Sequence, residues 1–136
     1  MAAKRPTTPQ LRLFRNRPTA AATIVATATY LAVLAANRSV LVVRGPSMLP
    51  ALWPGDRVVT LPALAPVRPG HVVVVRDPDE RGHLVVKRVH AVEAGGVDVR
   101  GDHPRASTDS RTWGPLPRSA VRRRVVRRWP DLRTRL

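Results

Sequence analysis

At 136 residues the chain has room for one domain with a modest core and a short accessory segment, and for little else. It carries no cysteine, which excludes disulfides, thiolate catalysis and cysteine-built metal sites together. The net charge of +15 is an arginine phenomenon, because Lys4 and Lys87 are the only lysines among 24 basic residues. A charge of this sign suits nucleic acid or an anionic membrane surface, or it simply solvates an arginine-rich exterior. One Phe, one Tyr and three Trp offer few rings for stacking bases, and no helix-turn-helix or zinc-finger spacing occurs, so no nucleic-acid partner is expected.

In chain order, residues 1–18 form a polar, basic tail with Lys4, Arg5, Arg12, Arg15 and Arg17 and three prolines. The character then changes abruptly: Thr19 to Ala36 is free of charge, and Arg38 closes the stretch. This predicts a helix over residues 19–37. A bilayer-spanning helix needs roughly 20 apolar residues, so 18 residues rich in Ala and Thr stand at the short end. A transmembrane helix, a cleaved signal peptide and an amphipathic surface helix all compete for it. The five basic residues ahead of it satisfy the positive-inside rule, and no small-x-small cleavage site precedes a sensible mature start. The expectation is therefore a single pass through the cell membrane, with the N-terminus cytoplasmic and everything after Arg38 outside.

From Val40 onward the pattern is of β type. Residues 40–44, 57–61, 71–76, 83–89, 96–100 and 121–128 are short, β-branched-rich runs separated by Pro-Gly, Asp-Pro-Asp, Gly-Gly and Gly-Pro turn signals. They predict a mostly β fold, a compact antiparallel sheet or partly open barrel over residues 40–130, followed by a tail at 131–136. The arginine-rich run 121–128 reads as a strand with one wet face.

Three blocks carry candidate chemistry. In the first, Gly45-Pro46-Ser47-Met48-Leu49-Pro50-Ala51-Leu52 and then Pro54-Gly55-Asp56, Ser47 lies on a rigid turn that can present its hydroxyl; a serine flanked by proline is far more often a plain turn residue. In the second, Leu84-Val85-Val86-Lys87-Arg88-Val89, strand alternation puts Lys87 on one face with Val85 and Val89 while Arg88 points the other way. A lysine can lose its proton near neutrality when desolvated, which arginine cannot do. A lone lysine within a valine strand of an arginine-rich chain is thus a candidate base, or else a stem packed on the sheet with its head in water. The third block, Val99 to Arg111 with Gly101, Asp102, Ser107, Asp109 and Ser110, packs carboxylates, hydroxyls and guanidinium into one loop. That loop either braces a site or is polar surface.

Together and in order, the blocks resemble the type I signal peptidase family. Its serine box, Ser-Met-x-Pro-Thr-Leu then Gly-Asp, is matched by Ser47-Met48-Leu49-Pro50-Ala51-Leu52 and Gly55-Asp56; its Lys-Arg-Val box by Lys87-Arg88-Val89. Its Gly-Asp-Asn and Ser-x-Asp-Ser-Arg boxes are matched by Gly101-Asp102-His103 and Ser107-Thr108-Asp109-Ser110-Arg111. The resemblance spans about residues 40–130, and the short stretch between the lysine box and the Gly-Asp-Asn box looks most like the minimal bacterial members, including nickel superoxide dismutase maturation proteases.

The resemblance implies a membrane-anchored serine endopeptidase removing signal or leader peptides, with Ser47 as nucleophile and Lys87 as base, and with no metal or other cofactor. It implies oxyanion or structural support from Gly45, Met48, Pro50, Asp56, Arg88, Gly101, Asp102, Ser107, Asp109, Ser110 and Arg111. Within that set Ser107 would orient Lys87, and Asp109 would pair with Arg111. Many relatives carry a serine where Gly45 stands, Ala51 replaces a threonine and His103 an asparagine. A catalytically silent basic protein binding acidic lipid or nucleic acid, and a self-cleaving Ser/Lys regulator, are the alternatives. The regulator would need a DNA-binding domain and a cleavage site that the sequence lacks.

Overall fold

The computed structural model describes residues 19–129; the expected tails at 1–18 and 131–136 lie outside them. The uncharged stretch forms helix α1, Ala20–Ala36. Thr19 caps its start, accepting the Ala22 N–H on its hydroxyl at 3.4 Å, and Asn37 ends it by donating its side-chain amide to the Val33 carbonyl at 2.8 Å. No residue of α1 is buried. Its 17 residues are about 25 Å long, and among the described residues no helix is long and apolar enough to cross a membrane.

Six strands follow: β1 Ser39–Val42, β2 Arg57–Pro62, β3 Val72–Arg76, β4 Leu84–Glu93, β5 Gly96–Arg100 and β6 Val121–Arg128. They make a single sheet in the order β1-β2-β6-β3-β4-β5, with every neighbouring pair antiparallel. The valine runs predict these strands closely. The main difference is β4, which continues to Glu93 past a register shift between Val89 and Ala91; the bulge breaks the alternation by which the run is read. Past the end of β1, Val43 donates its N–H to the Asp56 carbonyl at 2.7 Å.

The sheet is covered on both faces, which is why β3 is a continuous valine run rather than an alternating one. One face packs Val73, Val75, Val89, Val97, Val99 and Leu116; the other packs Val43, Met48, Leu52 and Val58. Each such fully buried side chain contributes about 1.5–3 kcal/mol. The expected single wet face of β6 needs a correction. Arg123 is only partly exposed: its Nε donates to the hydroxyl of the fully buried Thr60 at 2.7 Å, and its Nη2 to the Asn37 carbonyl at the end of α1. That guanidinium ties the helix to the sheet.

Candidate active site

Ser47 sits in a loop closed at its neck. The Val43 carbonyl accepts from Gly55 N–H at 2.8 Å while Val43 N–H donates to Asp56, so residues 43–56 leave and rejoin the sheet at one point. Asp56 supports the neck again, its carboxylate accepting from Trp53 N–H at 2.8 Å and from Arg128 at 2.7 Å. Gly45 takes φ +74°, a left-handed conformation that lets the chain turn into the serine. Directly after Ser47, Met48 and Leu52 plunge into the core at 1% and 7% exposure, and Leu52 N–H bonds the Met48 carbonyl at 2.9 Å. The serine, half-buried, is thus held by apolar pegs on its C-terminal side. Among the described residues neither its hydroxyl nor its N–H has a hydrogen-bond partner, and the preceding Pro46 has no N–H.

Lys87 lies opposite Val73 in the β3–β4 register, beside Val85 and Val89, and only 3% of it is exposed. Burial pushes its amine below the ordinary lysine value. The negative charges of Asp109 and Asp77 oppose that shift and Arg111 adds to it. Its Nζ donates to the Ser107 hydroxyl at 2.9 Å, and the Ser107 hydroxyl donates to Asp109 at 2.6 Å. Ser107 has one proton, committed to a carboxylate, so toward Lys87 it acts as acceptor.

Asp109 is the hub of this arrangement. Although 1% exposed, it accepts from Ser107, from the Gly101 N–H at 2.8 Å and from both the backbone and guanidinium of Arg111, the latter at 2.6 and 2.9 Å. Burial alone would raise its pKa. The hydrogen bonds from Arg111, Ser107 and the two backbone N–H groups outweigh it and hold the carboxyl well below the usual carboxylate range. It also caps the one-turn helix α2, Ser110–Trp113, while the buried Ser110 hydroxyl accepts Val99 N–H at 2.9 Å and fastens this loop to β5. Arg88, on the other face from Lys87, grips Asp102 with two bonds of 2.8 and 2.7 Å and donates to the Gly70 carbonyl at 2.9 Å.

The serine loop and the third block meet at Gly101. His103 N–H donates to the Ser47 carbonyl at 2.9 Å. A Cβ on Gly101 would stand 2.6 Å from that carbonyl oxygen and 2.3 Å from the Ser107 hydroxyl. Ser47, Gly101, Ser107 and Lys87 are therefore packed in one place. Met48, Asp56, Arg88, Asp102, Ser110 and Arg111 hold the surrounding backbone, and Pro50 lies in the serine turn after a cis peptide bond. In the hydrogen-bond pattern Lys87 contacts Ser107 rather than Ser47. At His103 it is the backbone that braces the site, whereas the side-chain Nδ1 is buried with no partner. Two contributors carried no sequence signal. Asp77, read only as a turn residue, acts on Lys87 through its charge, and Asp98 pairs with Arg100 at 2.8 Å on the adjoining strand. Among the described residues no group of three or more His, Asp or Glu side chains gathers as a metal site would require.

The profile of the signal peptidase family, peptidase S26, matches residues 17–99, which includes both the Ser47 and the Lys87 blocks. The chain is similar to the mitochondrial ATP-independent inner membrane protease subunit 1b of Arabidopsis thaliana, 32% identical over 114 residues covering 63% of this chain and 67% of the relative. Subunit 1a of the same plant is 32% identical over 115 residues, covering 65% and 68%. Mitochondrial inner membrane protease subunit 1 of Xenopus tropicalis is 29% identical over 116 residues, covering 67% and 69%.

Proposed function

Because the chain belongs to the signal peptidase family, peptidase S26, a signal-peptidase-type protease, we propose that it is a membrane-associated serine endopeptidase that removes signal or leader peptides through Ser47 and Lys87. The observation that carries this reading is the setting of Lys87. A buried amine has its charged form disfavoured, and it is aimed by a hydroxyl whose own proton is committed to Asp109.

In the reaction, neutral Lys87 donates one N–H to Ser107 and directs its lone pair at the Ser47 hydroxyl. It takes the hydroxyl proton as Oγ attacks the scissile carbonyl. The resulting oxyanion is stabilised by the unpartnered Ser47 N–H, since Gly45 brings no hydroxyl to that place. Protonated Lys87 then gives its proton to the leaving amine, and the C–N bond breaks to leave an ester on Ser47. Water, deprotonated in turn by Lys87, hydrolyses the ester. The charge of Asp109 favours the transient ammonium, and Arg111 offsets part of that effect.

β1 is an edge strand leading into the serine loop, with Val40 and Val42 exposed at 39% and 55%. An extended peptide laid against this edge would reach Ser47, its small side chains at the first and third positions before the cut filling shallow pockets. The single-pass topology, the catalytic domain outside the cytoplasm and the likeness to minimal bacterial maturation proteases belong to the same proposal. Cleavage of a leader peptide by the purified full chain tests it: Ser47→Ala and Lys87→Arg, both still folded by circular dichroism, are expected to abolish cutting. Unchanged cleavage in both would refute the assignment.

A further inference from the structure

Four arginine–aspartate pairs occur among the described residues, and three of them meet at one cleft. The cleft, of about 360 Å³, lies where β4 and the end of β5 meet the loop that follows β5. Arg88, His90, Arg100, Asp102 and Arg111 surround it, and Gly101 forms part of its wall. The same glycine is the one whose Cβ would stand 2.6 Å from the Ser47 carbonyl oxygen, so a single residue separates the cleft from the serine turn.

In each of the three pairs an aspartate grips the Nε and Nη2 side of the guanidinium: Asp102 on Arg88 at 2.8 and 2.7 Å, Asp98 on Arg100 at 3.1 and 2.8 Å, Asp109 on Arg111 at 2.9 and 2.6 Å. Both oxygens of every carboxylate are thereby engaged, and Arg88 gives its Nη1 to the Gly70 carbonyl. The Nη1 groups of Arg100 and Arg111 have no hydrogen-bond partner among the described residues, and the two side chains are 37% and 35% exposed. The cleft therefore offers free donors while its acceptors are taken. A cationic side chain would find the counter-charges already paired, whereas a carboxylate would meet two guanidinium groups that their forks hold in place, with little side-chain freedom left to lose. The Arg111 charge also works against that of Arg100, so an anion beside both relieves a repulsion built into the fold.

The strand order supplies a source for that anion. β1 and β5 are opposite edges of the sheet, and the serine loop runs from the β1 side until the Ser47 carbonyl meets His103 and Gly101 beyond β5. A peptide that reaches Ser47 along β1 continues, past the cut, toward Gly101 and the cleft behind it. Three extended residues cover about 10 Å, enough to carry a side chain over one glycine. We infer that this cleft is the subsite for the residues that follow the cut, and that it takes an Asp or Glu side chain at one of the first three positions, held by the Nη1 groups of Arg100 and Arg111. The inference rests on the peptidase reading above and adds a substrate class to it: precursors whose mature part begins acidic.

Paired leader peptides that differ only in Asp against Asn at the first, second or third position after the cut test it, with the purified full chain and kcat/KM as the readout. Asp is expected to be favoured about 5- to 10-fold at one of the three positions, the effect of a charge-assisted hydrogen bond at a part-exposed site. The advantage is expected to shrink as salt is added. In Arg100→Gln, still folded by circular dichroism, the advantage is expected to vanish; because the ratio is taken within one protein, a general loss of activity cannot imitate that result. Equal cutting of the Asp and Asn peptides at all three positions would overturn the acidic subsite and leave the peptidase reading standing. An Asp preference that persists in Arg100→Gln, or that added salt leaves unchanged, would overturn its placement on these guanidinium groups. Failure of the unmodified chain to cut any of the peptides would overturn the peptidase reading itself.

Discussion

Replacing Gly101 by alanine perturbs the place where the serine loop and the lysine network touch. The added Cβ would stand 2.3 Å from the Ser107 hydroxyl and 2.6 Å from both the Ser107 Cβ and the Ser47 carbonyl oxygen, where ordinary contact begins at 3.4 Å. Something must therefore move by about 1 Å, a tenth of a nanometre that no side-chain rotation can supply because backbone stands on one side and the hydroxyl that holds Lys87 on the other. Ser107 is held by bonds of 2.9 and 2.6 Å to Lys87 and Asp109, and His103 N–H holds the Ser47 carbonyl at 2.9 Å, so the displacement breaks or lengthens at least one of them. A misplacement of this size costs about 10²-fold in rate, and overpacking costs about 1–3 kcal/mol in stability. Urea unfolding and steady-state cleavage of a leader peptide measure the two effects. The expected pattern is a fall in kcat larger than any rise in KM, with the sheet intact by far-ultraviolet circular dichroism. An alanine variant as stable and as fast as the original would refute the close packing of Ser47, Gly101 and Ser107.

Lys87→Met is expected to stabilise the fold at neutral pH by about 1 kcal/mol, because it removes a buried amine without leaving a cavity. The folded-state value of Lys87 lies below 10.5, so between the two values the unfolded chain binds the proton more tightly; the cost of the lysine is complete at low pH and vanishes as pH rises past 10.5. The gap between the two proteins should narrow over that rise, and a gap that widened with pH would contradict the burial argument. Asp109→Asn is expected to lose about 2–3 kcal/mol at neutral pH, because the Arg111 guanidinium loses its counter-charge and the one oxygen left cannot accept from both the Gly101 and the Arg111 N–H. The carboxyl is depressed below 3.8 in the fold, so its contribution is present above that value and disappears as pH falls below it; chemical unfolding of both proteins across acid pH measures this.

Much of the sheet is legible in the sequence for a simple reason: the strands are valine runs cut by turns, and five of the six strands have both ends within about two residues of those expected. β4 outruns its expected end because His90 interrupts the alternation, and a bulge, invisible to periodicity, carries the pairing on to Glu93. The burial of Arg123 could not be read from Val121-Arg122-Arg123-Arg124, since its partners Asn37 and Thr60 lie 86 and 63 residues away. Lys87 was legible because an arginine-rich chain places one ionisable amine in an apolar strand. The residues that hold it came only through family likeness, because a serine and an aspartate two apart in a polar loop look the same whether they brace a base or face water. The role of Gly101 as the contact between the two loops is a property of packing alone.

In the proposed reaction Ser47 forms an ester with the substrate after Lys87 removes its proton. Acid quench of the purified chain during turnover of an ester analogue of a leader peptide, followed by proteolysis and mass spectrometry, tests it most directly. An acyl mass is expected on the peptide containing Ser47, and none on the same peptide from Lys87→Met. An acyl mass on another side chain, or turnover in which the Ser47 peptide never gains mass while the Ser47→Ala variant keeps its full rate, would contradict it.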